Sequence, residues 1–138
     1  MPNTEPRALV VDASAIVEAL LGTDIGSAAR RRMRGRELHG PAHLDAEVLS
    51  ALGRLHRAGR LDAAEVERAL RELGSAPITR HLLPGLLTGA WSSRERLRLV
   101  DGLYVELARS LDCALLTADS RLARASELSE LAGDAATA

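Results

Sequence analysis

Residues Ala8–Ser14 read Ala-Leu-Val-Val-Asp-Ala-Ser. Four apolar residues in a row end on a carboxylate, the pattern of a strand buried on both faces of a parallel sheet. Ser14 offers an N-cap for a helix through Leu21, and Gly22 a stop. Further along, Ala114-Leu-Leu-Thr-Ala-Asp119 repeats the arrangement: a buried strand over 114–117, then an aspartate two residues beyond its end. These two strands frame the reading of everything between them.

Between them the apolar spacing is mostly helical. A polar helix is predicted over 24–34, and a short strand over 36–39 ahead of Pro41. The clearest amphipathic helix is predicted over 43–58, where Leu44, Val48, Leu52 and Leu55 recur at helical spacing and Gly59 follows. Asp62 and Glu65 have capping-box spacing for a helix over 62–73, with Gly74 as its stop. A weak strand at 77–79 precedes a helical stretch over 82–91 with Pro84 in its first turn. Val100, Leu103, Tyr104, Leu107 and Leu111 share one face of a helix over 97–111. Residues 122–131 read as a last helix. Strands alternating with helices predict an α/β fold: a short parallel sheet covered on both faces, a three-layer α/β/α sandwich. The 138 residues suit a single domain, 1–138, with a polar start (1–7) and a tail (133–138) expected to be flexible.

Composition removes several chemistries. All 18 basic residues are arginine. Without lysine there is no P-loop and no Schiff-base cofactor site. Receiver domains, and most phosphatases with an aspartyl nucleophile, lack their usual cationic partner for the same reason. One cysteine, Cys113, makes no internal disulfide and reads as a small buried hydrophobe. One Trp, one Tyr and no Phe leave an aliphatic core, with Trp91 and Tyr104 as its aromatic anchors. The four histidines show no H-E-x-x-H spacing, so no zinc site is expected. No stretch reaches the ~20 apolar residues of a membrane span, and the start lacks the basic and apolar regions of a signal peptide. A cytoplasmic location is the expectation.

In open α/β sheets ligands bind beyond the C-terminal ends of the strands, where Asp12 and Asp119 are expected. Either aspartate alone is commonly a turn former or helix cap. The pair says more, because both strand ends open on one edge. Glu47 and Asp101 begin helices. First-turn acids commonly just complement the helix dipole. Asp101, however, is one turn from Tyr104 and faces partly inward, where an unpaired carboxylate is costly. Four carboxylates around one pocket, with no lysine to neutralise them, call for a hard divalent cation. Such a site suits phosphodiester hydrolysis, with one metal or two. Without the metal, mutual repulsion should raise at least one of the four pKa values.

The blocks V-D-A-S-A (11–15), P-A-H-L-D-A-E-V-L-S-A-L (41–52), V-D-G-L-Y-V-E-L-A-R-S-L (100–111) and A-L-L-T-A-D-S-R-L-A (114–123) together resemble a PIN domain. More narrowly they are similar to the VapC-type toxins of bacterial toxin–antitoxin pairs. The resemblance runs from about Leu9 to Ala125. It implies a Mg2+- or Mn2+-dependent endoribonuclease, a homodimer, and inhibition by a cognate antitoxin protein. Structured RNA, such as transfer or ribosomal RNA cut at exposed single-stranded positions, is the implied substrate. It places the catalytic acids at Asp12, Glu47, Asp101 and Asp119, with metal held by Asp12, Asp101 and Asp119, and with Ser14 and Thr117 as accompanying hydroxyls. Three departures stand out. Gly102 replaces the usual alanine. Arg96 and Arg98 lie where related toxins often carry Asn and Thr or Ser. No apolar run after Asp119 matches the family's final strand.

The net charge is −1, but apart from the four site acids 15 acids face 18 arginines. The 94–98 segment, Arg94, Arg96 and Arg98, is the favoured RNA contact. Arg30–Arg36 is either a phosphate-binding surface, an antitoxin-docking surface or a solvated helix face. Two other readings remain open at this point: a PIN-type nuclease outside any toxin system, and a catalytically silent PIN-like binding module.

Overall fold

The structure is a computed structural model and describes residues 7–133. In chain order the first half is β1 (Ala8–Val11), α1 (Ala13–Leu21), α2 (Asp24–Met33), β2 (Glu37–Pro41), α3 (Leu44–Arg57) and α4 (Ala63–Ser75). The second half is β3 (Ile78–His81), a 3-10 turn (Pro84–Leu86), α5 (Leu87–Ser92), α6 (Leu99–Ser110), β4 (Ala114–Thr117), α7 (Ser120–Ala125) and β5 (Ser129–Leu131). The ends read as flexible lie outside the described residues, apart from Arg7 and Gly133. Arg7 is tied down, its carbonyl accepting from the Glu37 amide.

All four strand pairings are parallel, in the order β3-β2-β1-β4-β5. The first three strands step outward in one direction, and the chain then returns to place β4 on the other side of β1. Right-handed crossovers therefore send α1–α4 to one face and α5–α7 to the other. The expected three layers follow. The reversal falls between β1 and β4, where the connections leaving their C-terminal ends run to opposite faces of the sheet and leave a crevice. The two strands are the most buried of the sheet: Leu9, Val10, Val11, Leu115 and Leu116 are all sealed from solvent. That is why their sequence is continuously apolar rather than alternating.

Two glycines allow close helix packing. A Cβ on Gly26 would lie 1.9 Å from the Glu18 carbonyl oxygen, so α2 can cross α1 only because that atom is absent. At Gly102 a Cβ would meet the backbone and side chain of Ala90 at 3.2–3.3 Å. The helix propensity lost by having glycine there, up to ~1 kcal/mol, accompanies a tight α5–α6 contact.

Four sequence expectations need correction. Asp12, not Ser14, caps α1: its side chain accepts from the Ala15 amide. A carboxylate at the strand end reaches the helix amide, which frees the serine for another task. α4 passes through Gly74 to Ser75, where the Ser75 hydroxyl caps the Arg71 and Glu72 carbonyls. Pro77, which disfavours helix at Ala76, is the actual stop. In the 82–91 stretch Pro84 opens a 3-10 turn and the α-helix begins only at Leu87. The last predicted helix ends at Ala125, and residues 129–131 form the edge strand β5 instead. The Asp62–Glu65 capping box is formed as expected.

Candidate active site

Each of the four acids is placed by a local rule. Asp12 ends β1 and Asp119 follows β4, and both become helix N-caps because their carboxylates reach the first free amides. Glu47 and Asp101 stand in the first turns of α3 and α6. All four line one cleft of about 630 Å3 at the β1/β4 crevice.

Asp12 is the deepest, 5% exposed. Its Oδ1 accepts from Ser14 Oγ at 2.7 Å and from the Ala15 amide at 3.0 Å. Its Oδ2 accepts from Thr117 Oγ1 at 2.7 Å. Burial pushes the carboxyl up to about 6, against those three hydrogen bonds, and the charge of Asp101 adds the smallest contribution. A raised pKa was expected, but its main cause is dehydration rather than mutual repulsion. Ser14 and Thr117 tie the two strand ends together. Ser14 Oγ accepts from the Ala118 amide at 2.9 Å, and Thr117 Oγ1 from the Asp119 amide at 3.0 Å.

Asp119 behaves differently. Burial opposes its ionisation, but the amides of Arg121 and Leu122 and the Arg121 guanidinium hold its carboxyl below the usual range. Arg121 Nη2 lies 2.9 Å from Asp119 Oδ2 and 3.2 Å from Asp101 Oδ2. The sequence reading looked for a neutralising lysine and missed this arginine, only two residues from Asp119. The cluster is therefore partly neutralised from within.

Glu47 is held by Tyr104, whose Oη donates to its Oε1 at 2.5 Å; His43 Nε2 stands 3.3 Å from the same oxygen without forming a hydrogen bond. The His43 and Tyr104 rings pack with centroids 4.8 Å apart. Burial, then the hydrogen bond to Glu47 and the nearby negative charge, raise the Tyr104 hydroxyl pKa, so it stays a donor. The spacing of these residues in sequence, with Tyr104 57 positions from Glu47, carried no signal of the contact.

The oxygen-only donor set fits a hard divalent cation. Among the described residues no three acidic, histidine or cysteine side chains yet stand as a closed metal cage. Asp12 is turned to its three donors, and Arg121 sits between Asp101 and Asp119.

The arginine expectations divide. Arg98 lines the cleft, joined there by Arg54 and Arg60, which the sequence reading did not select. Arg94 instead lies over the Trp91 ring at 4.5 Å and pairs with Glu95. Arg96 faces a separate depression beside Arg109 and Arg124. In the 30–36 cluster, Arg30 bonds the Ala19 carbonyl and Glu72, Arg32 pairs with Glu130, and Arg36 bonds the Arg7 and Ala8 carbonyls. Those three brace the fold away from the cleft. Trp91 is no core anchor: it is exposed, whereas Tyr104 is buried as expected. Cys113 is buried, and burial raises its thiol pKa.

The PIN domain model matches residues 9–128. The chain is 57% identical over 125 residues to Ribonuclease VapC3 of Mycobacterium tuberculosis, covering 90% of this chain and 91% of that protein. It is 42% identical over 114 residues to Ribonuclease VapC9 of the same species, covering 83% and 87%. The crystal structure of PAE2754 from Pyrobaculum aerophilum superposes with a TM-score of 0.66 at 25% identity, over 93% of this chain and 91% of that one. The five-stranded parallel sheet, the acids gathered at its β1/β4 crevice and these relatives agree: the chain belongs to the PIN-domain family, in its VapC ribonuclease branch.

Proposed function

We propose that the chain is a single-domain endoribonuclease that hydrolyses RNA phosphodiester bonds with Mg2+ or Mn2+ and serves as the toxin of a toxin–antitoxin pair. The observation that carries the reading is the convergence of Asp12, Glu47, Asp101 and Asp119, from four separated segments, on one cleft rimmed by arginines.

Asp12, Asp101 and Asp119 are the residues that hold the cation. When bound, the cation lowers the pKa of a coordinated water and screens charge on the scissile phosphate. Asp12 is aimed by Ser14 and Thr117, whose hydroxyls donate to it and so fix both of its oxygens. Glu47, clamped at Oε1 by Tyr104, orients the attacking water and takes up its proton. Arg54, Arg60 and Arg98 hold backbone phosphates on either side of the cut. Few aromatic rings are available for stacking, so recognition rests on shape and charge rather than on bases stacked along a platform.

Two protein partners belong to this reading. A cognate antitoxin inhibits the enzyme. A second copy covers the apolar surface of α5 and α6, where Leu87, Trp91, Leu99 and Val100 are exposed. The test combines cleavage of a structured RNA in Mg2+, its loss in chelator, and its loss in Asp101→Asn. Cleavage that persists in chelator, or in that variant, sinks the reading. Light scattering at micromolar concentration checks the dimer, and Trp91→Glu should shift it toward monomer.

A further inference from the structure

We propose that Arg121 is a resident counter-cation of the cleft: it holds Asp101 and Asp119 while no metal is bound and, displaced when a divalent cation takes those carboxylates, turns to a phosphate of the RNA. The inference rests on the metal-dependent ribonuclease reading and adds a residue to it.

The geometry is that of an exchangeable contact. A single nitrogen, Nη2, serves both carboxylates, at 2.9 and 3.2 Å. Neither pair uses the two-pronged fork that makes an arginine–carboxylate pair strong and specific. By contrast Arg80 grips Asp45 with both Nε and Nη2 and adds three carbonyls, as a structural arginine does. The Arg121 side chain is 43% exposed, and exposed pairs are weakly held. Asp101 and Asp119 lie on different elements, the first turn of α6 and the cap of α7. The guanidinium thus bridges the cleft mouth rather than bracing one helix.

Its position also suits the second half of the exchange. Among the described residues Arg54, Arg60 and Arg98 line the same cleft and form no ion pair with any of the four acids. Arg121 alone carries its charge to the carboxylates. A divalent cation arriving there repels the guanidinium and competes for the same oxygens. The side chain has the length and exposure to swing outward, and the nearest new anion is the phosphodiester that the site must hold. The exchange offsets the repulsion between the two acids before metal arrives and places a fourth phosphate-binding arginine at the mouth afterwards, when substrate is present.

The experiment uses the full chain and Arg121→Gln, which is exposed and whose fold is checked by circular dichroism. Mn2+ affinity is measured by electron paramagnetic resonance without RNA. Relieved of its competitor, the variant is expected to bind Mn2+ about two- to thirtyfold more tightly, the range that two exposed ion pairs span. At saturating metal, KM for RNA should rise several-fold while kcat changes less. Mn2+ affinity equal to or weaker than that of the wild type overturns the proposal, because Arg121 then brings nothing to the competition. An unchanged KM overturns it too. Asp119→Asn separates this failure from the larger one. If wild type and Asp119→Asn bind Mn2+ alike, the metal-site reading itself has failed. If Asp119→Asn binds far more weakly but Arg121→Gln matches wild type, only the Arg121 inference has failed.

Discussion

Thr117 Oγ1 donates to Asp12 Oδ2 at 2.7 Å, joining the C-terminal ends of β4 and β1 across 105 residues of sequence. The hydroxyl is fully buried, and its loss removes one of three donors, the one on Oδ2, from a carboxylate that is itself almost wholly buried. Thr117→Val keeps the volume and removes the donor. Chemical unfolding at pH 7.5 in chelator should show a loss of about 1–3 kcal/mol. A loss below the error of the fit would mean that Asp12 does not depend on this bond.

Asp12 also sets a pH dependence. Its carboxyl is raised from 3.8 to about 6 in the folded chain. The folded state therefore binds a proton more tightly than the unfolded one, and stability from this group falls as pH rises from about 4 to above 6. His81, held low by burial and by the neighbouring His39, acts oppositely, since its unfolded form gains a proton as pH falls through 6.5. The comparison that isolates Asp12 is wild type against Asp12→Asn. In chelator the wild type should lose stability relative to the variant between pH 4.5 and 7.5, by about 2 kcal/mol. A constant difference across that range rules out a raised Asp12.

Asp101→Asn probes the cation from the other direction. Because Arg121 already offsets part of the charge, the variant in chelator should melt close to the wild type. Wild type should gain about 2.7 kcal/mol when Mg2+ reaches a hundredfold excess over its Kd. The variant should gain far less at the same concentration, and calorimetric melts with and without Mg2+ read both.

Tyr104→Phe removes the donor to Glu47 and keeps the ring against His43. Cleavage should slow by about tenfold, as expected for a misplaced general base, with KM little changed. If kcat is unaffected in single-turnover assays, Glu47 does not depend on Tyr104 or is not needed.

Gly26→Ala tests packing alone. The added methyl collides with the Glu18 carbonyl, an atom of backbone that cannot rotate away. Forcing α1 and α2 apart should cost about 1–3 kcal/mol in urea unfolding, with metal affinity unchanged.

What was legible in the chain follows from the range of the forces involved. β1 and β4 could be read because both faces of each are buried, leaving unbroken apolar runs. β5 could not: Ser129–Leu131 is a half-buried edge of three residues, and Leu122, Ala125 and Leu128 mimic a helical stripe leading into it. The four acids could be placed on one edge because strand ends and helix starts fix position without knowledge of side-chain contacts. Arg121 escaped because charge was weighed by residue type along the chain, whereas its effect comes from reaching back over two residues and across to α6. Tyr104 was read as core, which its ring is, while its hydroxyl end meets Glu47 through a contact between distant segments.

The carboxylate of Asp12 has two employers. It caps α1 through the Ala15 amide and it faces the cleft. Any cation that draws on Oδ1 weakens the acceptor of that amide, so the first turn of α1 senses what occupies the site. The Ala15 amide resonance and its hydrogen-exchange rate thus become an internal gauge of metal occupancy, legible without substrate and at a backbone atom that no mutation need touch.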